Sequence, residues 1–133
     1  MRVLDASVVL GWLLREPLPA PLERLLDDHV TGRVPAAAPE LLRYEVANVL
    51  VRGAGLDATA ARSGYDRFLA LEVQTFALGD DEYRTALDLA LARGITVYDA
   101  SYVSLARALG VRFATTDRRL AQRLADPDLV DLC

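Results

Sequence analysis

Short apolar runs of strand length alternate with longer helical stretches along this chain, and several of those runs end at an acid. Val3-Leu4 stops at Asp5, and the run from Val111 to Thr116 stops at Asp117. Ile95-Thr96-Val97-Tyr98 leads to Asp99, and Glu45 lies inside an apolar helical pattern. Alternation of strand and helix implies parallel βαβ units, with helices covering both faces of a sheet. Ligands of such sheets sit beyond the carboxyl ends of the strands, where Asp5 and Asp117 fall. A buried carboxylate without a partner costs several kcal/mol, so acids gathered at one sheet edge need a compensating charge. A divalent metal is the usual compensator, and it directs the reading towards phosphate chemistry.

The coarse pattern supplies the elements. Residues 2–5 read as a buried strand and 7–14 as the helix that follows. Pro17, Pro19 and Pro21 interrupt that helix and lead into a second one over 22–30. A strand over 34–38 precedes a helix that Pro39 opens and that reaches residue 52, with Gly53 and Gly55 ending it. Helices over 59–70 and 81–92 flank a strand over 73–77, and Gly94 closes the second of them. Tyr98-Asp99 starts a helix over 100–109 that Gly110 ends. A strand over 111–115, a short helix over 118–125 and a last strand over 129–132 complete the chain. No repeat or low-complexity tract divides residues 1–133, so a single domain is expected, large enough to bury about two thirds of its unfolded surface.

Composition narrows the chemistry. Hydrophobic residues make up 53% and charged residues 26%, the balance of a folded globule and not of a disordered segment. No apolar stretch approaches the roughly 18 residues of a membrane span, and no signal-peptide pattern opens the chain. The single cysteine, Cys133, can form no internal disulfide, and a cytoplasmic location without membrane attachment is expected. A net charge of −4 excludes a general polyanion-binding basic protein. All 15 positive side chains are arginine, which in an alanine-rich chain first reflects codon usage. The absence of lysine removes every mechanism that needs one.

Each acid also has a structural explanation. Asp5, Asp99 and Asp117 all stand before or at the start of helical segments, where an aspartate can cap backbone N–H groups. Three caps converging on one sheet edge would repel one another unless a cation joined them. Glu45 shares a helical stripe with Leu41, Asn48 and Arg52. It either pairs with Arg52 or Arg43 at a helix margin, or points into an acidic pocket with Asn48 as a supporting amide. Ser7 and the pair Thr115-Thr116 lie beside two of the acids, where hydroxyls can orient carboxylates or simply serve as turn residues. No histidine or cysteine belongs to the set, and His29 reads as a plain surface residue. An all-oxygen ligand set suits Mg²⁺ or Mn²⁺.

Taken in order, Val3-Leu4-Asp5-Ala6-Ser7-Val8, Ala38-Pro39-Glu40-Leu41-Leu42, Glu45-Val46-Ala47-Asn48-Val49-Leu50, Tyr98-Asp99-Ala100 and Thr115-Thr116-Asp117-Arg118-Arg119-Leu120 form a pattern. The chain resembles PIN-domain ribonucleases, and most closely the VapC-like toxins of type II toxin–antitoxin systems. The resemblance implies a three-layer α/β/α fold with a short parallel sheet flanked by helices. It implies Mg²⁺- or Mn²⁺-dependent cleavage of structured RNA such as tRNA or rRNA. Asp5, Glu45, Asp99 and Asp117 would form the acidic, metal-binding quartet, with Ser7, Asn48 and Thr115 supporting it. A homodimer and a cognate VapB-like antitoxin are implied as well. Arg15, Arg43, Arg118 and Arg119 are candidates for guiding the RNA backbone.

Other folds place acids at strand ends. Response-regulator receivers and haloacid-dehalogenase-type phosphatases do so, but both use a lysine, and the second normally has an acid where this chain has Ser7. A PIN-like scaffold without catalysis and a metal-dependent DNA nuclease remain as alternatives. The first leaves the crowded acids without a purpose, and the second generally carries insertions for which this chain has little room.

Overall fold

In the computed structural model the described residues, 1–53 and 55–133, form five strands and seven α-helices that alternate as the apolar pattern does. The first half comprises β1 (Arg2–Leu4), α1 (Ala6–Leu14), α2 (Ala20–Val30), β2 (Ala36–Pro39), α3 (Leu41–Asn48), a π-helical turn (Val49–Gly53) and α4 (Ala58–Ala70). β3 (Gln74–Phe76), α5 (Asp80–Arg93), α6 (Val97–Leu109), β4 (Phe113–Thr115), α7 (Arg118–Leu124) and β5 (Val130–Leu132) follow. All neighbouring strands are parallel, in the order β3-β2-β1-β4-β5. α6 packs along β2, β1 and β4 with α5 against it, while α1 packs on α2, α3 and α4, giving three layers.

The core explains why such short strands hold together. Val3 and Leu4 of β1, Ala36, Ala37 and Ala38 of β2, and Phe113 and Ala114 of β4 are all buried. Ala100 and Ala106 of α6 are fully buried too, so small residues on both partners allow helix and sheet to approach closely. Gly11 does the same between α1 and α2: a Cβ there would stand 2.6 Å from Leu22 Cδ1. Among the described residues no helix is long and apolar enough to cross a membrane.

Several boundaries differ from expectation for local reasons. α2 begins at Ala20, with Pro21 inside its first turn, where a helix leaves backbone N–H groups unpaired and proline is tolerated. β2 starts at Ala36 and not at 34, because the Val34 amide bonds the Asp28 carbonyl at 3.0 Å in the turn leaving α2. Pro39 closes β2 and pairs with Phe76 of β3, and the helix opens at Leu41. α6 starts at Val97, since Thr96 and not Asp99 is its cap; the Thr96 hydroxyl accepts the Asp99 N–H at 3.0 Å.

His29 is not the surface residue that the sequence suggests. Its ring stacks on Trp12 with centroids 5.8 Å apart and planes at 9°. Nδ1 accepts the Ala36 N–H at 3.0 Å, so the proton sits on Nε2, which donates to the Leu71 carbonyl at 2.6 Å. A neutral imidazole thus ties α2 to the start of β2 and to the turn before β3.

Candidate active site

Parallel topology decides where the acids meet. The chain runs from β1 outwards through β2 and β3, then returns through α6 to β4 on the other side of β1. This switch point lies between β1 and β4, and Asp5 and Asp117 follow those two strands at the sheet's carboxyl edge. A helix leading into a parallel strand begins at that same edge, which brings Asp99, in the first turn of α6, to the site. α3 leaves the edge after β2 and carries Glu45 in its second turn.

Asp5 is the best buried of the four, at 7% exposure. It stands at the N-cap position of α1 but makes no side-chain cap. Its Oδ2 instead accepts two hydroxyls, from Ser7 and from Thr115, each at 2.7 Å. Both hydroxyls are themselves held: Ser7 Oγ accepts the Thr116 N–H at 3.1 Å and Thr115 Oγ1 the Asp117 N–H at 3.0 Å. Oδ2 is therefore fixed, while Oδ1 has no hydrogen-bond partner among the described residues. The sequence placed Ser7 and Thr115 beside the acids, and the fold brings both into direct contact with Asp5.

Glu45 accepts a hydrogen bond from the Tyr102 hydroxyl. Tyr102 is 1% exposed and packs near Phe113, with ring centroids 6.4 Å apart. Among the described residues Glu45 pairs with neither Arg43 nor Arg52; Arg43 reaches Thr75 Oγ1 at 3.3 Å instead. Burial first, and then the charges of Asp5 and Asp99, lift the Glu45 carboxyl above its ordinary value, against the hydrogen bond from Tyr102. Burial and the neighbouring Glu45 push the Tyr102 phenol well above its ordinary value, so it stays a donor. Sequence reasoning missed Tyr102. Its one signal was a polar-tipped aromatic three residues after Asp99 in an apolar helix, on the same face as that acid.

Asp99 is half-buried. Burial, with Asp5 and Asp117 adding to it and Thr96 opposing it, raises its carboxyl above the ordinary value. Asp117 is more exposed and does cap α7, its Oδ1 accepting the Leu120 N–H at 2.9 Å. The capping explanation thus holds for Asp117 and fails for Asp5 and Asp99. Asn48 closes α3 as an exposed side chain with no hydrogen bond, to Glu45 or elsewhere, among the described residues.

Glu45 lies near enough to Asp5 and Asp99, and Asp99 to Asp5 and Asp117, for their charges to be felt, yet none of the four forms an ion pair among the described residues. The donor set is all oxygen, and it includes a carboxylate pinned through one oxygen with the other free. That chemistry fits a hard divalent cation. Among the described residues no three acids stand close enough to form a ready-made cage. Beside Asp99 and Asp117 a cavity of about 420 Å³ is lined also by Thr96, Arg119 and Arg123.

The family model of the PIN domain matches residues 2–126. Ribonuclease VapC3 of Pyrobaculum aerophilum is 34% identical over 128 residues, covering 91% of this chain and 92% of that relative. The crystal structure of PAE2754, also from Pyrobaculum aerophilum, superposes with a TM-score of 0.66 at 26% identity, over 92% of this chain and 83% of the other. That of FitAcB from Neisseria gonorrhoeae superposes with a TM-score of 0.71 at 17% identity, over 100% and 97%, a likeness of fold alone. With a family match over nearly its whole length and a relative 34% identical across most of both chains, this chain belongs to the PIN domain family.

Proposed function

We propose that this chain is a metal-dependent endoribonuclease toxin of the VapBC type, cleaving structured RNA, tRNA or rRNA, at the carboxyl edge of its sheet. The observation that carries the reading is Asp5: a buried carboxylate held through one oxygen by two hydroxyls, among three further acids and with no partner cation among the described residues. The 34% identity to a ribonuclease over most of both chains supports the same activity. Asp5, Glu45, Asp99 and Asp117 would hold Mg²⁺ or Mn²⁺. When bound, such an ion supplies the positive charge that activates water and offsets charge building on the attacked phosphate.

The protein's own groups then have separate tasks. Ser7 and Thr115 fix the direction of Asp5. Tyr102 holds Glu45 against the repulsion of Asp5 and Asp99. Asp117, anchored on α7 through one oxygen, keeps the other for the site. Shape and unpaired nucleotides, and not duplex sequence, would select the RNA.

A VapB-like antitoxin and a cytoplasmic location belong to this reading through the family resemblance. Pairing into a homodimer does too, and a stripe of exposed Tyr83, Leu87 and Leu91 on α5 supports it. The test is cleavage of total tRNA and rRNA by purified protein in Mg²⁺, Mn²⁺ or EDTA, with Asp5→Asn in parallel. Discrete fragments that need metal and vanish in the mutant are expected. Intact RNA with both proteins in every metal contradicts the reading, and cleavage confined to DNA would replace the substrate.

A further inference from the structure

An acidic centre in a chain of net charge −4 repels RNA, so a phosphate backbone needs local positive charge to approach it. The cavity between the start of α6 and α7 supplies that charge. We propose that this cavity is a phosphate-binding subsite, in which Arg119 and Arg123 grip the backbone phosphate next to the one cleaved; the inference rests on the ribonuclease reading and deepens it.

The cavity of about 420 Å³ is lined by Asp99 and Asp117 together with Arg119 and Arg123, a size with ample room for a phosphate and part of its nucleotide. Arg119 and Arg123 stand four residues apart on α7, so they share one face of that helix. Arg119 is exposed and, among the described residues, makes no hydrogen bond or ion pair, although two acids line the same cavity. Its guanidinium fork is therefore available to an anion, and that planar geometry matches two phosphate oxygens.

Arg123 is held in advance. Its Nη1 donates to the Gly94 carbonyl at 3.0 Å and lies 3.4 Å from that of Arg93, at the carboxyl end of α5, where a cation is favoured. Gly94 makes this seat possible. Its φ is +63°, and a Cβ at that position would stand 2.8 Å from Nη1. The remaining N–H groups of Arg123 keep their donor capacity. One free guanidinium and one anchored one thus flank the edge of the acidic centre, the arrangement that a single-stranded backbone needs to lie beside it.

The test is fluorescence anisotropy with a fluorescein-labelled, unstructured 12-nucleotide RNA in Ca²⁺, its integrity checked on a gel, across a series of salt concentrations. Arg119→Ala and Arg123→Ala are each expected to weaken binding about tenfold. Each should also flatten the plot of log K against log salt by about 0.7, the change for one lost phosphate contact on a single strand. Arg119→Lys should recover part of the loss. Arg84→Ala, near the opposite end of α5 and paired with Asp81, should bind as wild type does. Mn²⁺ binding by calorimetry should be unchanged in all four variants.

Arg119 makes no hydrogen bond or ion pair among the described residues, so its variant decides even if Arg123→Ala is less stable. Wild-type affinity and salt slope in Arg119→Ala and Arg123→Ala overturn the subsite, as does an equal loss in Arg84→Ala or no RNA binding by wild type at low salt. Cleavage is scored separately. An arginine-dependent affinity in a protein that cuts no RNA removes the ribonuclease reading and leaves the subsite standing, whereas active wild type with unaffected variants removes the subsite alone.

Discussion

Two regions of this sheet hold buried or half-buried acid, and they treat it in opposite ways. Asp131 of β5 is neutralised by the fold itself: Arg2 stands 3.3 Å away, and Arg112 donates to it at 2.9 and 3.0 Å. Arg112 also bonds the carbonyls of Pro127 and Asp128, which welds the chain before β4 to the turn before β5. At the carboxyl edge Asp5, Glu45, Asp99 and Asp117 face one another with hydroxyls for company and no ion pair among the described residues. An acid whose counter-charge comes from the chain stabilises the fold. Acids held together without one store repulsion, which a cation from solution can relieve.

The contrast can be broken most sharply by removing one acid from each region. Asp5→Asn should lower RNA cleavage by at least about 100-fold, because it neutralises the carboxylate that Ser7 and Thr115 orient. Asp131→Asn should leave cleavage unchanged in the same assay. An active Asp5→Asn would remove the distinction between the two regions.

Tyr102→Phe refines it. The ring stays packed near Phe113, but Glu45 loses its only protein hydrogen bond among the described residues. Affinity for Mn²⁺, read by calorimetry, should fall about tenfold. Wild-type affinity would mean that Glu45 needs no help in holding its place.

Stability should show the next effect. Asp131→Asn is expected to cost about 1 kcal/mol, some 3–5 °C in Tm. An unchanged Tm would mean that the two arginines contribute nothing as counter-charge.

The smallest change has the opposite sign. Glu45 and Asp99 both titrate above their ordinary values in the folded chain, so the folded state holds their protons more tightly than the unfolded one. Their penalty is full above those raised values and fades as the pH falls into the ordinary carboxylate range. Without metal, Asp99→Asn should therefore melt slightly above wild type at neutral pH, and that advantage should shrink on acidification. Mn²⁺ should stabilise wild type more than the mutant. A lower Tm for metal-free Asp99→Asn would make Asp99 a structural residue.

What the sequence could reveal follows distance along the chain. Asp5 and Asp117 were placed because an apolar run that stops at an acid marks a strand's carboxyl end. Ser7 and Thr115 lie within two residues of those acids, so their contact with the site is local. Tyr102 is 57 residues from Glu45, and only the packing of α6 across the sheet brings them together. Asn48 shared a stripe with Glu45, yet α3 ends at that residue and its side chain is exposed without a hydrogen bond among the described residues, which periodicity does not report. His29 misled in the same way: a polar residue in a helix otherwise rich in charge reads as surface until Trp12, Ala36 and Leu71 arrive from other elements. The β-branched Thr96-Val97 likewise concealed a helix start, because the Thr96 hydroxyl acts as a cap.

The most direct measurement is calorimetric titration of Mn²⁺ into wild type, Asp5→Asn and Asp131→Asn. Binding is expected for wild type and Asp131→Asn and should be lost in Asp5→Asn, because only the unpaired acids call for a cation from solution. Equal binding by all three proteins, or none by wild type, contradicts a metal centre at the carboxyl edge of the sheet.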